Sequence, residues 1–405
     1  MQNQNWRLFN RVIVAAAVTL LVVSFSTFAA AQGGDAVHAM YAAAPKEATN
    51  IKGVSIIADR PKGFNPLTAT IQELGRYGLP PRPDQEVDPR GYAKWARAMQ
   101  ALKSRPAAHL VAKPFSSVNL MLAKQQPAAA ATSAATPMQF YSYNWSGVAN
   151  VNNLKKWNNN QSFNYVQSIW NVPAAQPPFN ACTNGITGNP PTAPGFYQAT
   201  WNGIDGATAG DVLQGGSLGY ADCGGPADTF YIGWVEWYPS YPILELDCST
   251  NVACVVNAGD DFYVVTIGAN SLKQYVFVED ITQGWGGLFE LDYVSGPSLV
   301  GSSVEQIVER PGFDCDNNLC LTALSNYIDE FVVDAFALNG RGASYYPGSQ
   351  TKETWIVDMI DDGATQIISS VDGQGNHGVQ GLESLWLESE GCAYTGGCTA
   401  IDPLP

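Results

Sequence analysis

The chain has 405 residues, with 36 Asp and Glu against 21 Lys and Arg, a net charge of −15 and three histidines. Such acidity argues against binding to nucleic acid, whose phosphates attract basic surfaces. The shortage of histidine and the absence of any CxxC spacing argue against a zinc hydrolase. No GxxxxGK[ST] loop and no GxSxG motif occurs, and His377 is the one histidine after residue 140, so neither a nucleotide site nor a serine triad is indicated. We expect no metal and no cofactor.

The first 31 residues are typical of a signal peptide. Arg7 and Arg11 precede an apolar run over 12–23, and three alanines ending at Ala31 fit a small-x-small cleavage site. A transmembrane anchor is the alternative, because the stretch up to Ala31 is about long enough to cross a bilayer. No basic stop signal follows it, which favours cleavage and export, to the periplasm or outside the cell.

The charges divide the rest of the chain into two parts. Residues 32–139 hold 13 Lys and Arg and 7 Asp and Glu, whereas residues 140–405 hold 6 and 29. The stretch QQPAAAATSAATPMQ is typical of a linker, so we predict a basic propeptide over 32–124, a linker over 125–139 and an acidic domain over 140–405. In acid the carboxyl groups lose their charge, and six Lys and Arg leave little positive charge to cause repulsion within the acidic domain. We therefore expect this domain to work at low pH, with surface acidity for solubility as the alternative.

The basic part carries two helix signals. Asn65-Pro66 predicts a helix that passes through Leu74 and ends near Gly78, and Asp88 with Pro89 predicts the cap of a second one. The apolar stripe of the second helix is formed by Tyr92, Trp95, Met99 and Leu102. A small helical segment of opposite charge is typical of an inhibitory propeptide, with a separate binding domain as the alternative. We expect acid to release this segment, since protonation of the carboxylates of the acidic domain removes the attraction between the two parts.

The acidic part is predicted to be a β protein. Short runs rich in Val, Ile, Tyr, Trp and Thr alternate with clusters of Gly, Pro, Asn and Asp, and no long stretch has helical periodicity. Such strands indicate one large antiparallel sandwich or barrel. The clearest runs are 165–172, 230–237, 261–267, 274–279, 303–309, 331–337 and 354–359.

Eight cysteines, all beyond residue 180, are expected to form disulfides in an exported chain. Three pairs are close in sequence, and the remaining two cysteines are left to close a longer loop. The simplest pairing is Cys182–Cys223, Cys248–Cys254, Cys315–Cys320 and Cys392–Cys398.

Two segments hold the candidate functional residues. In WNGIDGATAGDVLQGG (201–216), a turn carrying Asp205 leads into a short strand with Gln214, whose following glycines allow a close approach of a ligand. In SVEQIVE (303–309), Glu305 and Glu309 lie on one face of a strand. From this pattern alone, a solvated outer face is the more ordinary interpretation of the two glutamates.

Four motifs together resemble the glutamic peptidases, or eqolisins. WNGIDG followed by VLQGG is similar to that family's W-x-G-I-D-G turn and I-L-Q-x-G strand, and EQIVE resembles its E-W-I-V-E strand with Gln306 in place of Trp. YNWSGVA at 143–149 resembles the strand that opens its mature domain, and WVEWYP at 234–239 resembles its W-Y-E-W-Y-P strand. The stretch from Gly63 to Asp84 resembles propeptides of bacterial relatives.

The resemblance implies a lectin-like antiparallel β-sandwich in which the catalytic pair is Gln214 and Glu305. Glu305 would act as general base and acid on water, and Gln214 would donate to the oxyanion. Supporting or substrate-binding positions fall on Trp201, Asp205, Glu236 and Glu309. The expected protein is a secreted, monomeric acid endopeptidase that acts on polypeptides and is inhibited by its own propeptide.

Two alternatives stay open at this stage. A glycoside hydrolase could use Glu305 and Glu309 as its two carboxylates, although this leaves Gln214 without a role. A non-catalytic lectin-like binder could use Trp201, Trp234 and Trp237 as stacking platforms for sugars.

Overall fold

The computed structural model describes residues 39–86, 89–116, 121–126, 138–178, 181–183, 195–225, 228–247, 254–315, 318–327, 331–341, 344–345, 353–364, 366–372, 384–389 and 402–403. The expected signal peptide and most of the expected linker lie outside these residues. Within the described ranges, no helix is both long and apolar enough to cross a membrane.

The basic part contains short strands as well as the two expected helices. Its elements are β1 (Lys46–Ala48), β2 (Val54–Ile57), α1 (Ile71–Arg76), α2 (Pro89–Ala101), β3 (Leu110–Ala112), β4 (Phe115–Ser116) and β5 (Met121–Gln126).

In the described residues of the acidic part, the regular elements are all strands. They are β6 (Met138–Ser142), β7 (Trp145–Val151), β8 (Phe163–Asn171), β9 (Ala175–Gln176), β10 (Phe196–Ile204), β11 (Val212–Ala221), β12 (Phe230–Tyr238), β13 (Leu244–Leu246), β14 (Asp261–Gly268), β15 (Lys273–Asp280), β16 (Trp285–Asp292), β17 (Ser303–Glu309), β18 (Gly312–Cys315), β19 (Asn318–Leu321), β20 (Ala323–Leu324), β21 (Asn326–Tyr327), β22 (Phe331–Asn339), β23 (Ser344–Tyr345), β24 (Thr354–Ile360), β25 (Gln366–Asp372), β26 (Ser384–Ser389) and β27 (Asp402–Pro403).

These strands form the expected β-sandwich of two large antiparallel layers. One layer has the strand order β13-β12-β11-β10-β17-β7-β24, and we call it the catalytic layer because it carries the predicted pair Gln214 and Glu305. The back layer has the order β16-β15-β14-β8-β22-β26. Strand β25 pairs with both β24 and β26, so the two layers are continuous through it.

The main core lies between the two layers. Alternate residues of each strand point into it, as the two-residue period of a strand requires. The catalytic layer contributes Val148, Ile204, Leu213, Val235 and Trp237, and the back layer contributes Trp170, Phe262, Val264, Val276 and Val278. The opposite face of this layer carries a second buried cluster, which includes Trp145, Trp201 and Trp234.

The basic part packs against both layers rather than standing apart. Residues 39–105, which we call the outer layer, cover the outer face of the back layer, and β2 extends that layer by pairing with β16. Residues 109–116, which we call the edge segment, extend the catalytic layer because β3 pairs with β13.

The second predicted helix forms as expected, whereas the first is shorter than predicted. Helix α2 buries Trp95 and Met99, as its apolar stripe indicates. Helix α1 is capped by Thr70 and not by Asn65, because Thr70 and Glu73 form a reciprocal capping box. The Asn65 side chain instead accepts a hydrogen bond from the main-chain N–H of Leu67.

One of the predicted disulfides, Cys182–Cys223, is present in the structure. Cys254 and Cys320 are disulfide-bonded as well. The side chains of their expected partners, Cys248 and Cys315, lie outside the described part of the chain, as does the whole Cys392–Cys398 pair.

Candidate active site

Gln214 and Glu305 lie on one face of the catalytic layer, on either side of Gly203. Gln214 of β11 and Glu305 of β17 both pair with this glycine of β10. Because adjacent strands are about 4.8 Å apart, the two backbones are separated by about 9.6 Å across it. A Cβ added at Gly203 would come within 2.9 Å of both the Leu213 carbonyl oxygen and the Trp201 ring. The strand therefore needs a glycine here, because the Trp201 ring and the neighbouring main chain occupy the space that a side chain would take.

The Glu305 carboxyl group is fully buried. Its Oε1 accepts a hydrogen bond from the main-chain N–H of Ala207 at 3.2 Å, and its Oε2 has no partner among the residues that the structure describes. Burial raises the pKa of Glu305 well above its ordinary value, and the carboxyl groups of Asp205 and Asp211 raise it further, although the Ser303 hydroxyl and the Ala207 N–H act to lower it. In this form of the protein, Glu305 therefore keeps its proton at acidic pH.

The amide of Gln214 is oriented by Glu236. The two residues are cross-strand neighbours on β11 and β12, and Gln214 Nε2 donates to Glu236 Oε2 at 2.6 Å. This contact fixes which end of the amide is the nitrogen, and an amide nitrogen has a second N–H to offer. Gln214 Oε1 has no hydrogen-bond partner in the described part of the chain. Gln214 and Glu236 are both fully buried.

Asp205 holds the segment of chain that leads into β17. Its carboxylate accepts hydrogen bonds from the main-chain N–H groups of Val300, Gly301 and Ser302 at 2.6, 2.8 and 2.6 Å, and from the Ser302 hydroxyl at 2.8 Å. Asp205 itself adopts a left-handed conformation with φ of 68°, which aspartate tolerates better than most residues. Since Glu305 follows this segment directly, Asp205 acts on the site by fixing where β17 begins.

Glu309 anchors Trp201 beside the pair. Its Oε2 accepts from Trp201 Nε1 at 2.8 Å, and its Oε1 accepts from Asn144 Nδ2 at 3.0 Å. The ring of Trp201 packs edge-on against Trp145 at 5.1 Å. The interpretation of Glu305 and Glu309 as part of a solvated outer face is therefore wrong, because both glutamates are fully buried.

The motif analysis did not single out Asp211, a buried carboxyl group that lies just before β11. Its Oδ2 accepts from Trp237 Nε1 at 3.1 Å, and Oδ1 has no partner among the described residues. Burial raises the pKa of Asp211 to about 8, and Asp205 contributes to the increase. The available signal was a second aspartate between WNGIDG and VLQGG, within a turn where a solvated side chain is the ordinary expectation.

Gln306 points away from the pair. It is 1% exposed and shares its face with Val304 and Val308, which lie in the core between the layers. The replacement of the eqolisin tryptophan by glutamine therefore alters the interior packing behind the site and not the face that carries Gln214 and Glu305.

The geometry disfavours both alternatives. Glu305 and Glu309 are four residues apart on one strand, about 13 Å, whereas glycoside hydrolases hold their carboxyl groups about 5 to 9.5 Å apart. Both oxygens of Glu309 are also engaged. The three tryptophans offered as stacking platforms, Trp201, Trp234 and Trp237, are all fully buried.

Comparison with known proteins identifies a family. The profile of the Peptidase A4 family matches residues 143–380, more than half of the chain. The chain is 23% identical over 247 residues to aspergillopepsin-2 of Aspergillus niger, an alignment that covers 59% of this chain and 77% of the relative.

The chain is also similar to solved structures. Scytalido-glutamic peptidase with a peptide-based transition state analogue is 18% identical and has a TM-score of 0.45, covering 61% of this chain and 98% of that one. Aspergilloglutamic peptidase from Aspergillus niger is 22% identical with a TM-score of 0.38, covering 48% and 99%. Because the family profile matches more than half of its residues, the chain belongs to the Peptidase A4 family, the glutamic peptidases or eqolisins.

Proposed function

We propose that this protein is an acid endopeptidase that hydrolyses peptide bonds of polypeptides with Glu305 and Gln214. The observation that carries the proposal is their arrangement on either side of Gly203, where Glu305 Oε2 has no hydrogen-bond partner in the described part of the chain and Gln214 Nε2 has a second N–H beyond the one donated to Glu236. The Trp201 ring lies against this glycine, so water and the peptide carbonyl are proposed to enter only when the site opens.

In the proposed reaction, ionised Glu305 takes a proton from water as the water attacks the peptide carbonyl. Gln214 donates an N–H to the oxyanion that develops, and Glu305 then delivers its proton to the leaving nitrogen. The neutral amide of Gln214 keeps its N–H donors in acid, whereas a histidine would be protonated in acid and could not act as the base. Glu236 keeps the amide nitrogen of Gln214 in place through the 2.6 Å hydrogen bond.

The protein as described is a latent form in this proposal. Glu305 is fully buried, and a pKa raised by burial keeps it protonated, so it is neither accessible nor basic. Access of water to the carboxyl group lowers its pKa towards the ordinary value, so opening of the site and generation of the base occur together.

The edge segment is the proposed inhibitory part of the propeptide. It adds a strand to the catalytic layer, and Phe115 lies against Tyr197 at 4.9 Å, on the same face of β10 as Gly203. His109 contacts Asp247 at 2.8 Å and Lys113 contacts Glu245 at 2.6 Å. Contacts between carboxylates and basic side chains weaken in acid as a class, so acid is proposed to loosen the segment and allow it to be cut.

Export through residues 1–31 is part of the same proposal. The Cys182–Cys223 disulfide fits it, because such bonds persist in oxidising compartments. The mature enzyme is proposed to be a soluble monomer without a membrane anchor.

A protein digest tests the proposal against its alternatives. Acid-treated protein is incubated with haemoglobin at acidic and neutral pH, and in parallel with a glucan. We expect cleavage of haemoglobin in acid only, no release of sugar, and loss of cleavage in both Glu305→Gln and Gln214→Ala. Sugar release by the wild type, or normal digestion by either variant, would refute the assignment.

A further inference from the structure

The outer face of the back layer is apolar and is covered by the outer layer. Eight of its side chains are at most 8% exposed, and four of them are aromatic: Tyr165, Ile169, Tyr263, Val265, Ile267, Tyr275, Phe277 and Leu288. They form one core with the outer-layer residues Met40, Tyr41, Ile57, Leu74, Trp95 and Met99. Tyr41 is fully buried, and its ring lies 4.7 Å from that of Tyr275.

The outer layer also belongs to the core of the sandwich. Strand β2 is hydrogen-bonded to β16 as its outer neighbour, and alternate residues of β2 point to opposite faces. Val54 and Ile56 are 3% and 0% exposed in the core between the two layers, while Ile57 lies in the core on the outer face. Removal of β2 would thus open two cores at once.

Main-chain hydrogen bonds continue to the end of the outer layer. The N–H of Lys103 donates to the Gly284 carbonyl at 2.8 Å, and the N–H of Gly286 donates to the Ser104 carbonyl at 3.0 Å. A cut on the carboxyl side of this anchor would leave every one of these contacts intact.

We propose that the outer layer stays bound to the peptidase after the chain is cut, so that the mature enzyme consists of two non-covalently associated pieces. This inference rests on the proposed function only in that a cut is made between the outer layer and the peptidase strands. The segment that covers the apolar face is residues 39–105 of the same chain. Without that occupant, the four aromatic side chains alone would present on the order of 600 Å², more than soluble monomers usually expose in one patch.

The buried charges of this interface do not oppose binding in acid. Glu279 is fully buried, with Arg60 of the outer layer and Asp280 as its charged neighbours. Burial raises the pKa of Glu279 well above its ordinary value, so packing takes up a proton and is favoured as the pH falls. Glu290 pairs with Lys46 and Lys273, and these lysines lower its pKa despite burial, so it keeps its charge further into acid. The exposed pair of Arg97 with Asp261 contributes little to binding.

This behaviour separates the outer layer from the edge segment. The edge segment is held partly by contacts of its basic side chains with Asp247 and Glu245, beside the pairing of β3 with β13. The outer layer is held mainly by apolar packing over the outer face of the back layer and by the pairing of β2 with β16. Acid can therefore loosen the first while leaving the second in place.

The test is native size-exclusion chromatography at pH 4 after acid activation, with the pieces identified by mass spectrometry in denaturant. We expect a fragment containing residues 39–105 to elute with the peptidase and to separate only in denaturant. A soluble, active peptidase without that fragment would overturn the proposal. Should the protein prove unable to cut itself, brief cleavage with pepsin supplies the cut, so the association is tested independently of the proposed activity.

Matched variants of the outer layer sharpen the result. Tyr41→Ala removes the ring that packs on Tyr275, whereas Phe64→Ala removes a half-buried ring that packs on Tyr77 within the outer layer itself. We expect Tyr41→Ala to raise the dissociation constant of the fragment at least about tenfold, and Phe64→Ala to raise it much less. Equal effects of the two substitutions would contradict the proposed interface.

Discussion

Asp211 makes a quantitative prediction about stability and pH. The ordinary pKa of an aspartate is 3.8, and burial raises that of Asp211 to about 8. A group with a raised folded pKa contributes stability that is fully present below its unfolded pKa and is lost as the pH rises through its folded pKa. At 1.36 kcal/mol per pKa unit, this residue alone makes the protein about 4 kcal/mol less stable at pH 7 than at pH 3.

Asp211→Asn should remove this loss of stability at neutral pH. Asparagine cannot ionise, and its carbonyl oxygen can still accept the hydrogen bond from Trp237 Nε1. The free energies of unfolding of variant and wild type should be close at pH 3 and differ by about 4 kcal/mol in favour of the variant at pH 7.

The assay is urea unfolding followed by tryptophan fluorescence at several pH values. It is carried out in a Gln214→Ala background, so that autolysis does not distort the transition. The exposed Asp228 supplies the control, since Asp228→Asn makes the same substitution at a surface position. A difference between Asp211→Asn and wild type that stays constant from pH 3 to pH 7 would refute the assigned burial and protonation of Asp211.

Three further predictions concern other contacts. Glu309→Ala leaves Trp201 Nε1 and Asn144 Nδ2 buried without their partner, so the free energy of unfolding should fall by about 2 to 4 kcal/mol; a loss below about 1 kcal/mol would show that Glu309 is no anchor. Replacing both Cys182 and Cys223 by alanine opens a loop of 41 residues and should cost about 4 kcal/mol; an unchanged unfolding midpoint would mean that the bond does not form in solution. Phe115→Ala in the precursor should speed activation at pH 4, measured as the lag before haemoglobin cleavage, whereas Val111→Ala, at an exposed position of the same segment, should not; equal lags would remove Phe115 from the inhibitory contact.

The sandwich could be predicted because strand signals are local. Runs of β-branched and aromatic residues between turn residues mark β14, β15 and β17 to within one or two residues of their observed bounds. Strands β10 and β11 are neighbours in the chain, whereas the pairing of β10 with β17, which brings Glu305 to Gly203 opposite Gln214, joins segments about a hundred residues apart and is not encoded in any local pattern. The motif resemblance supplied it.

The burial of the carboxyl groups could not be predicted from spacing. Two glutamates on one strand face fit a solvated surface as well as a site, and what decides is the set of donors from distant elements, such as Trp201 and Asn144 for Glu309. The integration of the basic part escaped the sequence analysis for a related reason. Charge separated it from the acidic part, whereas the apolar residues of β2 and α2 join it to the back layer.

The most direct test of the central claim is the rate of peptide cleavage by Glu305→Gln, Gln214→Ala and the double variant, each cut in trans to remove latency. Loss of a general base costs about 10² to 10⁴ in rate, and loss of an oxyanion donor costs about 10² to 10³. Because the two groups act on one reaction centre, the double variant should be hardly slower than Glu305→Gln alone. Glu245→Gln, at the edge of the same layer, is the matched control and should cleave at the wild-type rate. Retention of more than about a tenth of wild-type activity by Glu305→Gln in correctly folded protein would contradict the account.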